Sequence, residues 1–169
     1  MKIRFFLVLF FLILSQKYSF ASSSYVLPYP GHMPGNKLYI VDQAIDKVQH
    51  FLSFGNISQF KQHLAVSDRY LVEAKTLFEY KQYKLAMTSL QKSDENFVKL
   101  YPLLKKSQKQ GVNTEDKEKL LTEASVKHRE VLIELLLKTP SEFTWEDERS
   151  QPVKLQIHKK INNSIKLHR

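Results

Sequence analysis

Leu38, Val41, Ile45, Val48 and Leu52 step along the chain by 3, 4, 3 and 4, and the same rhythm returns three times. Phe60, Leu64, Ser67, Leu71, Ala74 and Phe78 carry it next. Tyr83, Ala86, Leu90, Ser93, Phe97, Leu100 and Leu104 form a third run, and Leu121, Ala124, His128, Val131 and Leu135 a fourth. This alternation puts one apolar stripe on each of four helices and predicts near-antiparallel packing of long helices. Strands would need alternation with period two, which these segments lack.

The punctuation agrees. Gly55-Asn56 offers a left-handed stop and then a cap for the second helix. Only Glu79 to Gln82 separates helices two and three, which predicts a tight hairpin. Pro102 should kink or end helix three early, leaving Leu103 to Gln110 as an offset extension. Gly111-Val112-Asn113-Thr114 ends that extension, and Asn113 or Thr114 caps helix four ahead of Glu115, Asp116 and Glu118. Pro140 stops helix four. Beyond it, Trp145 among acids suggests a short capped helical turn after Ser141, and Pro152 opens a fifth helix with Ser150 as its cap. Ala74, Phe78, Tyr83 and Ala86 resemble one tetratricopeptide hairpin, but no second unit follows in register.

The first 36 residues are of another kind. Lys2 and Arg4 precede an unbroken apolar run from Phe5 to Leu14, and Ser19-Phe20-Ala21 places small residues where a signal peptidase reads. The expectation is an export signal over residues 1–21, cleaved after Ala21, and an extracytoplasmic mature chain. Residues 22–36 then form a proline-punctuated extended strap, in which Tyr25, Leu27, Pro28, Tyr29 and Pro30 could lie across an apolar groove or serve as a partner's ligand. Residues 37–140 are the helical bundle, and 141–169 an acidic turn with a basic amphipathic helix. The fold class is thus all-α: four long antiparallel helices, a strap and a basic C-terminal helix.

Charge sharpens the picture at one end only. Removing Lys2, Arg4 and Lys17 takes the formal +9 to +6, and Lys154, Lys159, Lys160, Lys166 and Arg169 hold +5 of that. A basic tail on a nearly neutral body fits peripheral contact with an anionic membrane, or a fifth helix packing Ile157, Ile161 and Ile165 on the bundle. On the first reading, deleting Pro152 to Arg169 leaves the bundle folded. Nucleic acid is not expected, because the basic run is short and lacks interleaved aromatics.

Chemistry-bearing motifs are missing. The chain has no cysteine, which excludes disulfides and thiolate metal sites. No glycine-rich phosphate loop or serine-nucleophile motif appears, and no cofactor is expected. His128 stands on an apolar seam without a second ligand at helical spacing, so a hydrogen-bonded core histidine is expected. His50 and His63 read as surface residues. Asp46, Asp68, Glu73, Glu79, Glu95, Glu123 and Glu130 fall opposite the seams, where solvated charge is the default.

Tyr25-Val26-Leu27-Pro28-Tyr29-Pro30-Gly31, running on to Leu38-Tyr39, resembles the opening of a family of uncharacterised exported bacterial proteins. Ala65 to Ala74, Tyr83 to Ala86 and Lys127 to Leu132 continue the likeness. The resemblance implies a bacterial source and a helical domain, and brings no known activity or catalytic residue. The functional expectation is a non-enzymatic binding or scaffolding protein of the cell envelope, its partner an unknown envelope protein or polymer. The rival is a cell-wall hydrolase using scattered carboxylates.

Overall fold

The computed structural model describes residues 24–147 and 150–168, so the expected export signal over residues 1–21 lies outside it. The described chain is mainly helical, in the order α1 (Tyr39–Leu52), α2 (Asn56–Glu79), α3 (Tyr83–Phe97), α4 (Leu100–Lys109), α5 (Glu115–Lys138), β1 (Phe143–Asp147), β2 (Ser150–Leu155) and α6 (Ile157–Leu167). No helix among the described residues is long and apolar enough to cross a membrane.

The tight α2–α3 hairpin is present as expected, with Lys81 in the left-handed region at φ 59° to close its three-residue turn. At the seam, small side chains let the two helices approach. Ser67 Oγ donates to the Ser93 carbonyl at 3.0 Å, and Ser93 Oγ returns the bond to the Ser67 carbonyl at 2.8 Å. Each hydroxyl, buried inside an otherwise apolar stripe, is thereby satisfied. Helix three does break near Pro102, but upstream of it, at Val98-Lys99. Pro102 is the third residue of α4, where its missing N–H is one that no intrahelical carbonyl would have accepted.

Two apolar clusters make the core. One joins Leu71, Ala74 and Phe78 of α2, Tyr83, Ala86 and Leu90 of α3, Val131, Leu132 and Leu135 of α5, and Leu155, Ile157 and Ile161 from the C-terminal segment. The other joins Phe60 and Leu64 to Phe97, Leu100, Leu103, Leu104 and Ala124. The fifth helix is therefore a core element: Ile157 and Ile161 are both fully buried.

Two expectations for residues 141–169 are corrected. The turn around Trp145 is strand β1, and Pro152 sits inside β2 instead of opening a helix, which starts five residues later. Phe143 pairs with Leu155 and Trp145 with Val153, so the four apolar side chains share one face of the hairpin. That face meets the start of α3: the Tyr83 and Phe143 rings lie 4.8 Å apart, and the Lys84 ammonium sits 3.5 Å over the Trp145 ring. A two-stranded sheet has only edge strands, so Pro152 interrupts no interior ladder.

The largest departure is α1. The helix forms where its spacing predicts, yet none of its residues is buried. Its half-buried positions are Tyr39, Asp42, Gln43 and Asp46, all polar, while Leu38, Val41, Ile45, Val48 and Leu52 are 48–61% exposed. The helix is mounted inside out.

Candidate functional site

Polar contacts hold α1 in that orientation. Tyr39 donates its hydroxyl proton to Glu73 Oε1 at 3.1 Å, and Arg69 grips both carboxylate oxygens of Asp46. His32 of the strap lies 2.9 Å from Asp42 and holds its carboxyl below the usual carboxylate range. Such a fork-to-carboxylate pair with neighbouring hydrogen bonds fixes a helix through its polar side. The apolar arc then has nothing left to cover it among the described residues. Ile40 is 72% exposed, Phe51 77% and Phe54, just past the helix, 78%. Phe51 and Phe54 alone present roughly 200–400 Å² of ring. With the aliphatic residues added, the face exceeds the ~300–600 Å² of the largest apolar patch on a typical monomer.

The strap reaches α2 and not α1's apolar face. Tyr25 is partly buried against the second cluster, and Leu27 packs on the first. Tyr25 donates to Asp68 Oδ2 at 2.5 Å; burial, followed by that bond, pushes its phenol up. Pro28, Tyr29 and Pro30 are exposed, Tyr29 at 95%.

Asp68 also receives His128. The imidazole Nε2 lies 2.7 Å from Asp68 Oδ1, with the His128 side chain fully buried. Because a carboxylate only accepts, Nε2 carries the proton. His128 is thus the bonded core histidine its position on the seam suggested. Asp68, Glu73 and also Asp94, however, are buried where solvated acids were expected for the first two. Glu73 takes Ser89 Oγ at 2.6 Å, and Asp94 takes Lys160 Nζ and Ser164 Oγ, both at 2.7 Å. Each inward acid has a partner from another helix, an arrangement no stripe reveals because the partners are distant in sequence. His63, expected on the surface, is buried too and bonds Asn96 at 2.8 Å, with the exposed His50 ring 5.1 Å away.

His168 was missed entirely. It is fully buried, with its ring 4.0 Å from that of Phe97 and 4.9 Å from that of His128, and Nδ1 donates to the Ser164 carbonyl at 2.8 Å. Burial, aided by His128, lowers its pKa from 6.5 to about 3. The folded chain therefore keeps it neutral while the unfolded chain protonates it below pH 6.5, so its contribution to stability is full above pH 6.5 and lost as pH falls toward 3. From pH 7.5 to pH 5 the loss is on the order of 2 kcal/mol. We expect His168→Phe, which keeps a ring on Phe97, to remove that part of the acid sensitivity. Thermal melts of both chains at the two pH values check it; an equal drop in melting temperature for both rejects the assignment.

Beside this ring cluster an open cavity of about 500 Å³ is lined by Phe97, Tyr101, Leu121, Arg129, Leu167 and His168 among others, with no carboxylate among its described walls. A second cleft, of about 360 Å³ between α1, α2 and α3, contains Asp46 and Glu95. Asp46 is held by Arg69, and Glu95 accepts from Gln91 at 2.8 Å. No group of three or more His, Asp or Glu among the described residues is arranged to hold a metal ion.

The tail lysines do not form one surface. Lys154 lies on β2 and pairs with Glu142 at 2.6 Å, while Lys160 is half-buried on Asp94. Lys159 and Lys166 are exposed, and Arg169 lies outside the described residues.

Residues 31–142 match the family described as a domain of unknown function, DUF5667, and the chain belongs to that family. The matched segment contains α1 through α5 and stops short of β1, β2 and α6. No curated protein and no solved structure matches the chain.

Proposed function

We propose that this DUF5667 protein is a non-enzymatic, exported binding or scaffolding protein of the bacterial cell envelope that engages its partner through the outward face of α1. In this reading the core helices act as a rigid antiparallel frame, and α1 is the element they present. The observation that carries it is the inverted helix: polar contacts spent inward, large apolar side chains left outward. An exposed apolar face of this size costs solubility unless something covers it. The inward acids support the same reading, since each is tied to a hydroxyl, a base or an ammonium of its own fold. Asp46 shares one cleft with Glu95 and another with Asp68, but all three are engaged, by Arg69, by Gln91, and by Tyr25 with His128. A hydrolase would need two carboxyls free to act on a shared space.

Val41→Glu/Val48→Glu tests the proposal. Both positions are at least half exposed, so the variant should melt within about 5 °C of the parent. Affinity capture from the envelope fraction of the source bacterium, with parent and variant side by side, should recover bound material only with the parent. Equal recovery by a folded variant removes α1 from the binding surface.

A further inference from the structure

We infer that the occupant of the α1 face is an anionic lipid surface, an assignment that rests on the reading of α1 as the binding element. Charge is the first argument. The two acids of α1, Asp42 and Asp46, are turned toward the body and engaged by His32 and Arg69. The charges left outside are those of Lys37, just ahead of the helix, and Lys47, at the border of the apolar arc; both are exposed. The outward surface of α1 therefore offers apolar side chains with cations and no acid, the complement of a membrane interface carrying anionic headgroups.

Width is the second argument. A two-helix seam uses a narrow stripe, here Leu38, Val41, Ile45, Val48 and Leu52. The exposed arc is broader, because Ile40 and Phe51 extend it on one side and Phe54 continues it past the helix end. A flat apolar medium covers such an arc, whereas one partner helix leaves its margin wet.

The absence of cysteine from the chain makes the test clean. Phe51→Cys places a single thiol on the face, and Leu137→Cys places one on exposed α5 as a control. Each full-length protein is labelled with a polarity-sensitive fluorophore and titrated with vesicles of phosphatidylcholine, with or without 30% phosphatidylglycerol, carrying a brominated-lipid quencher (all ~0.1 M salt). With anionic vesicles the label at position 51 should shift to the blue and be quenched, and the label at 137 should not. Two lysines imply roughly tenfold or greater weakening on neutral vesicles, and raising salt to ~0.5 M should reproduce much of that loss. A label at 51 that anionic vesicles leave unshifted overturns the lipid assignment. If that label instead shifts with protein concentration in the absence of lipid, the occupant is a second copy: the lipid assignment falls and the binding role of α1 stands. If neither shift occurs and Val41→Glu/Val48→Glu captures as well as the parent, both fall.

Discussion

A chain ending at Gln156 should lose the native fold, with no cooperative thermal transition and a large fall in helical circular dichroism. The reason lies in what α6 buries. Ile157 and Ile161 are completely enclosed by α3 and α5 side chains, and each contributes roughly 1.5–3 kcal/mol through its burial. The same helix supplies Lys160 and Ser164 to Asp94, whose side chain is 6% exposed. Removing the helix breaks that pair and uncovers the carboxylate. The two isoleucines alone approach the lower end of the stability of an ordinary domain, about 5–15 kcal/mol. This reverses the expectation from charge alone, under which the basic tail could be deleted from an intact bundle. A truncated chain that melts cooperatively within a few degrees of the parent would show α6 to be dispensable. Lys160→Met separates the two contributions, since it removes the ammonium and leaves both isoleucines in place.

Asp68→Ala should be the most damaging single substitution of a polar side chain, and its damage should spread to the strap. One carboxylate accepts from both the Tyr25 hydroxyl and His128 Nε2. Truncating it strands two donors, one of them fully buried, at about 1–3 kcal/mol each. A melting temperature lower by roughly 5–15 °C follows. Asp68→Asn keeps an acceptor for one donor and should fall between the two. Tyr25 is also the strap's anchor on α2, so Asp68→Ala should speed proteolytic cleavage between Tyr25 and Gly35 under conditions where the body stays intact. Tyr25→Phe should reproduce the cleavage with a smaller loss of stability. If Asp68→Ala melts like the parent and its strap resists protease equally, the shared acceptor is not what joins strap, α2 and α5.

The positions of the helices were legible in the stripe spacing, because helix formation is local: 3/4 alternation, Gly55, Gly111 and Pro140 act over a few residues. Thus α2, α3 and α5 run close to where the pattern places them, and Ser67, Ser93 and His128 lie on the buried seams it traced. The β1–β2 hairpin was not legible, since Phe143-Trp145 and Val153-Leu155 give only two alternating apolar positions per strand. That is too few to separate period two from chance, and Pro152 mimics a helix start.

Which stripe would be used was decided only in three dimensions. An amphipathic pattern states that a face wants cover and cannot state what covers it. In α2, α3 and α5 the cover is the shared core. In α1 the competition was settled by Arg69, Glu73 and His32, which engage the polar side and leave Leu38, Val41, Ile45, Val48 and Leu52 outside. The same holds for the acids: Asp68, Glu73 and Asp94 look like solvated charge along the chain. Their partners Tyr25, His128, Ser89, Lys160 and Ser164 stand 16 to 70 residues away. Local sequence determined the helices of this protein; long-range electrostatic pairing, which no local window contains, decided which of their faces became core and which became surface.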